Sequence, residues 1–183
     1  PNEYTVSAQA GQGGRIDPAS AKVTHGHTVQ FTITPDTGYH LLYAGGCNGT
    51  VSQSSLNAAA KKKKKGKAKA LATTTYTTGP ITDACTVTAT FEINAYTVTA
   101  DAGSGGSISP SGTITVNHGA TPEFMVTPDS GYHIKTVNGT CGGSLNGNTY
   151  TTNPVTGNCT VHAEFEPNEY TVSAQAGQGG RID

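Results

Sequence analysis

Apolar and polar residues alternate along much of this chain. Tyr4, Val6, Ala8 and Ala10 fall on one side of an extended segment, and Thr5, Ser7 and Gln9 on the other. Val29, Phe31 and Ile33 make a second such face, and Tyr39, Leu41 and Tyr43 continue it beyond a turn. Cys85, Val87, Ala89 and Phe91 form another, matched later by Cys159, Val161, Ala163 and Phe165. A period of two is the signature of a strand with one face buried. Turn chemistry separates these runs. Gly11, Gly13 and Gly14 suit backbone at positive φ, and the segment reads as a hairpin turn. In Pro35-Asp36-Thr37-Gly38 the proline presets φ, the aspartate bonds back to the backbone, and the glycine takes the left-handed position. The expectation is an all-β chain with about five short strands over each modest core.

The pattern is written more than once. Residues 1–17 read PNEYTVSAQAGQGGRID, and residues 167–183 read the same, a period of 166 residues. Within that period lies a second, diverged copy. Tyr4-Thr5-Val6 returns as Tyr96-Thr97-Val98, and Gly13-Gly14-Arg15-Ile16-Asp17-Pro18 as Gly105-Gly106-Ser107-Ile108-Ser109-Pro110. Thr34-Pro35-Asp36-Thr37-Gly38-Tyr39-His40 returns as Thr127-Pro128-Asp129-Ser130-Gly131-Tyr132-His133. The closing block Cys85 to Glu92 returns as Cys159 to Glu166. The organisation is therefore unit one at 1–93, unit two at 94–166, and the opening of a third unit at 167–183. An isolated hairpin is marginal in water. The last copy, with Tyr170, Val172, Ala174 and Ala176 on one face, is expected to be an assembly strand. It would open a third unit in a longer chain, or complete a neighbouring subunit by strand addition.

Composition limits the core. Hydrophobic residues are 34% of the 183, aromatics 7%, and Trp is absent. Small β domains this lean often need a covalent staple. Each unit holds two cysteines, Cys47 with Cys85 and Cys141 with Cys159. Four cysteines allow three connectivities, or none if all stay reduced. One pair per repeat favours the pairing within each unit, and disulfides imply a secreted, oxidising setting. No apolar run is long enough to span a bilayer.

The motifs YTV-x-A-x-A-G-x-G-G-x-I-x-P, F-x-(I/V)-T-P-D-x-G-Y-H and TYTT-x-P-(I/V)-T-x-x-CTV-x-A-x-F together resemble the divergent internalin-type B-repeat, a relative of the Listeria–Bacteroides repeat. The G-Y-H and A-x-F blocks are the most specific parts. The resemblance spans both complete units. It implies small β-grasp-like domains in tandem on bacterial surface or secreted proteins, with no catalytic residues. The cysteine pair and a lysine-rich insert at 57–72 stand outside the family pattern.

That insert is the oddest feature. Cys47 and Tyr76 are 29 positions apart, Cys141 and Tyr150 only nine. The extra residues carry Lys61, Lys62, Lys63, Lys64, Lys65, Lys67 and Lys69. The plain reading is a solvated loop. The sharper one is an electrostatic contact with an acidic neighbour or an anionic polysaccharide. Formal charge supports the former partner: nine cationic residues against five acids up to Ile93, and one against five from Asn94 to Glu166. No aromatic interleaves the lysines, which argues against nucleic acid.

The histidines point to structure. His25 and His27 stand two apart, a spacing a metal can use on a strand, but no further ligand sits at a telling distance. His40 and His133 follow the Gly-Tyr turn in both units, where a structural hydrogen bond is expected. G-x-S-x-G, H-E-x-x-H and P-loop motifs are all missing. The expectation is a non-enzymatic structural segment of an extracellular fibre, stalk or adhesin, without cofactor or metal. Its partners would be copies of itself, head to tail. The alternative is an extracellular binding module for glycan or anionic polymer; a domain appended to a secreted enzyme is the third reading.

Overall fold

The computed structural model describes residues 1–52, 73–175 and 177–181. The chain separates into two compact units, Pro1–Ala95 and Tyr96–Asp183. Among the described residues there is no helix. The chain is all-β.

The first unit contains β1 (Glu3–Ala10), β2 (Gly14–Asp17), β3 (Ser20–Thr24), β4 (Gln30–Pro35), β5 (Tyr39–Gly45), β6 (Thr50–Ser52), β7 (Thr74–Thr77) and β8 (Cys85–Ile93). They form two four-stranded sheets, ordered β3-β1-β8-β5 and β2-β4-β7-β6. The second unit contains β9 (Ala95–Ala102), β10 (Gly106–Ser109), β11 (Gly112–Asn117), β12 (Glu123–Pro128), β13 (Tyr132–Asn138), β14 (Gly143–Asn146), β15 (Thr149–Thr152) and β16 (Cys159–Pro167). Its sheets run β11-β9-β16-β13 and β10-β12-β15-β14, the same order strand for strand. Among the described residues, each unit has eight strands in place of the expected five. The extra ones are short and largely exposed, such as β6 and β14, so they carry no buried alternation to read.

Each core lies between its two sheets. In the first unit Val6 and Val87 come from one sheet, and Phe31, Ile33 and Tyr76 from the other. In the second unit Val98 and Val161 meet Phe124, Val126 and Tyr150. Burying each such side chain contributes about 1.5–3 kcal/mol. The buried Tyr76 keeps its hydroxyl satisfied by donating to the Gly46 carbonyl at 2.7 Å.

Two features depart from the sequence expectation, and a third is one on which the sequence made no prediction. The glycine turn after β1 is no hairpin, because β1 and β2 belong to different sheets. It is a corner between them: Gly11 N–H bonds the Ala89 carbonyl at 2.9 Å, and Asp36 N–H bonds the Gly13 carbonyl at 2.8 Å. Tyr43 does not continue the inward face of β5. A bulge between Leu41 and Tyr43 shifts the register, and Tyr43 is 57% exposed. Finally, the first and last strands of each unit lie side by side and parallel. Val6 to Ala10 of β1 pair with Cys85 to Ala89 of β8, and Val98 to Ala102 of β9 with Cys159 to Ala163 of β16.

Candidate functional site: the exit corner of each repeat

Blocks far apart in sequence converge where the chain leaves each unit. The Pro-Asp-x-Gly turn forms as its chemistry dictates, with Gly38 at φ 84° and Gly131 at φ 82°. Tyr39 N–H closes it on the Asp36 carbonyl at 3.0 Å, and Tyr132 N–H on Asp129 at 3.0 Å. The turn delivers the Tyr39 ring onto Gly13 and the Tyr132 ring onto Gly105; a Cβ at either glycine would overlap the ring. Phe91 covers Gly14, and Phe165 covers Gly106, with the same steric exclusion. The Gly-Gly, Gly-Tyr-His and Ala-x-Phe motifs are thus three parts of one packed corner.

A polar clamp sits over it. His40 and Glu92 are cross-strand partners on β5 and β8, as His133 and Glu166 are on β13 and β16. His40 Nδ1 lies 2.9 Å from Asn94 Oδ1, with Nε2 3.6 Å from Glu92 Oε2. In the second unit His133 Nδ1 lies 3.0 Å from Asn168 Oδ1, and Nε2 3.1 Å from Glu166 Oε1. Lys135 Nζ adds a contact to Glu166 Oε2 at 3.8 Å. The carboxamide oxygens only accept, so these bonds need a proton on Nδ1. Backbone reinforces the side chains: Asn94 N–H donates to Gly38 O at 2.7 Å, and Asn168 N–H to Gly131 O at 2.8 Å. Each asparagine is the first residue of the connector beyond the last core-facing positions of its unit. The clamp therefore fixes the exit path of the chain against the turn before β5 or β13. These groups are about half exposed, so each histidine–carboxylate contact contributes no more than about 1 kcal/mol.

Sequence reasoning alone passes over Asn94 and Asn168. A signal is present nonetheless: an asparagine stands two positions before Tyr-Thr-Val at Asn2, Asn94 and Asn168. His40 and His133 make the structural hydrogen bonds expected of them. His25 instead packs on Tyr4, and His118 on Tyr96, each with ring centroids 5.9 Å apart. Among the described residues no group of three or more His, Cys, Asp or Glu is placed to hold a metal.

The cysteines form Cys47–Cys85 and Cys141–Cys159, one bridge within each unit. Both tie the segment after the fifth strand of the unit to the first residue of its last strand. The lysines Lys61 to Lys65, Lys67 and Lys69 lie outside the described residues. So does Ala176; Tyr170, Val172 and Ala174 belong to no strand, and Tyr170 and Val172 are 81% and 91% exposed.

The family of the divergent InlB B-repeat domain matches residues 4–64 and 96–169, well over half of the chain. Each match begins at the tyrosine of a Tyr-Thr-Val, and the second runs through the whole corner to its clamping asparagine. No curated protein and no solved structure gives a significant match. With matches to two segments that together cover well over half of its residues, this chain belongs to the divergent InlB B-repeat family.

Proposed function

We propose that this chain is a structural tandem-repeat segment of an extracellular bacterial fibre, stalk or adhesin. Each repeat is a stapled β spacer, and copies succeed one another head to tail. The observation that carries the reading is the exit corner, built twice with the same parts. In both units a connector asparagine is held by a histidine and by a turn carbonyl. A corner that spends its most specific motifs on orienting the outgoing chain suits a spacer whose task is to position the next repeat. The disulfides support an oxidising compartment. Among the described residues no helix is long and apolar enough to cross a membrane. The reading assigns the chain no catalytic step and no cofactor; its partners are further copies of itself.

Immunogold electron microscopy of intact cells tests the location, and imaging of chains with one, two and four copies of the 166-residue block tests the role. Label outside the cell, with contour length growing in proportion to copy number, is the expected result. Signal confined to the cell interior, or copies that collapse into a globule, would overturn it. Saturable binding to one glycan class on an array would favour a binding module instead.

A further inference from the structure

We propose that each repeat is a tensile module: tension along the chain loads its first and last strands against each other in shear, and the disulfide takes the loop it closes out of the load path. The purpose assigned here rests on the stalk reading; the mechanics rest on strand topology alone.

Force passed along a tandem chain enters a unit at its first strand and leaves at its last. In the first unit these are β1 and β8, which are hydrogen-bonded neighbours running in the same direction. The paired stretch runs from Val6↔Cys85 to Ala10↔Ala89. The entry end of β1, at Glu3, projects beyond one end of that stretch, and the exit end of β8, at Ile93, beyond the other. Pulling the two ends apart slides the strands past each other along their length. Every rung then bears load at once, whereas a hairpin pulled at its open end parts one rung at a time. Neither strand can leave by peeling from an edge. β1 is held on its other side by β3 through five partner pairs, and β8 by β5. Sliding must also drag Val6 and Val87 out of the core, where both are fully buried. The second unit repeats the arrangement with β9 and β16, five parallel pairs, and flanking strands β11 and β13. Resistance to such pulling is governed by the unfolding rate, so a transition state that breaks many contacts together is the relevant strength.

The bridges then set how far a ruptured unit extends. Once β1 and β8 part, the covalent path runs to Cys47, crosses to Cys85, and continues to the exit. Residues 48–84 bear no tension while the bridge is intact. In the second unit residues 142–158 are likewise bypassed. All of the extra length that distinguishes the first unit, with its lysines, falls inside this unloaded loop. The placement explains how one repeat accepts a long insertion without lengthening its load-bearing path.

Single-molecule force spectroscopy on the full chain, held at its two termini, tests the proposal. Two rupture events are expected. Reducing the disulfides should lengthen the two extension steps by roughly 130 Å and roughly 60 Å, from sequence separations of 38 and 18 at about 3.5 Å per residue. A second geometry, with handles at residues 1 and 26, peels β1 from β3 and should rupture at a several-fold lower force. Equal forces in the two geometries, or step lengths indifferent to reduction, would overturn the proposal. Either result leaves the cellular location untouched. Conversely, an intracellular label with the expected force curves removes the stalk reading and keeps the shear mechanics.

Discussion

Residues 1–17 and 167–183 are identical in sequence, and the described part of the second copy differs in structure from the first. In the first copy Glu3–Ala10 is a strand with Val6 fully buried, flanked by β3 on one side and β8 on the other. In the second, residues 168–175 belong to no strand, and Val172, the counterpart of Val6, is 91% exposed. Alternation, β-branching and glycine placement are the same in both. What differs is the neighbours. A strand's stability comes from cross-strand pairs and from a face to bury, so strand propensity alone does not make one. Among the described residues, the first copy has a partner strand on each edge and a second sheet beneath, and the second copy pairs with no strand.

The sharpest test changes the same residue in both copies. Val6→Asp places a charge in a dry core and should destabilise the first unit by on the order of 4 kcal/mol or more, while Val172→Asp should change stability by less than about 0.5 kcal/mol. Urea unfolding of the two variants measures this; equal losses would mean that the second copy is buried after all.

Next come the staples. By the chain-entropy relation, closing 38 residues contributes about 3.9 kcal/mol and closing 18 about 3.2 kcal/mol. Serine in place of both cysteines of one bridge should therefore lower the stability of its own unit by a few kcal/mol and leave the other unit's transition unmoved. Calorimetry resolving two transitions checks it, and a shift of both together would show that the units do not unfold separately.

Glycines give a smaller, cleaner contrast. A Cβ at Gly14 would run into the Phe91 ring, whereas its counterpart Gly180 has open space. Gly14→Ala should cost about 1–3 kcal/mol by overpacking the corner, and Gly180→Ala close to nothing. If Gly14→Ala proves neutral in thermal unfolding, the glycine–aromatic packing does not hold the corner.

Alkaline pH should produce the mildest effect, and it belongs to the cores. Burial raises the Tyr76 hydroxyl above its ordinary value of 10.0, with the Gly49 backbone lowering it and Tyr43 adding to the rise; burial also raises Tyr150. A raised tyrosine holds its proton more tightly folded than unfolded. Stability is then intact below pH 10 and declines as pH climbs through 10 toward the folded value. Tyr76→Phe loses the bond to Gly46, about 0.5–1.5 kcal/mol at neutral pH, but should fall less steeply above pH 10. Parallel pH–stability curves for the variant and the parent chain would remove the assignment.

Local chemistry alone determined a good deal here. Alternation at Val6, Phe31, Ile33 and Val87 marked the buried faces, and Pro35 to Gly38 marked a turn that forms as written. Repetition assigned one cysteine pair to each unit, and both bridges form within units. These are readable because a side chain's face and a turn's φ depend on the residues beside them. Pairing across the sheet is another matter. Alternation says which way Val6 points but not that Cys85, 79 positions on, lies next to it in parallel. The same limit hid the inter-sheet corner after β1, the bulge that turns Tyr43 outward, and the meeting of Gly13, Tyr39, Phe91 and Asn94. It also left the two copies of PNEYTVSAQAGQGGRID indistinguishable. Tertiary structure decided among them, because a strand's partners come from distant chain and whatever surface that chain presents.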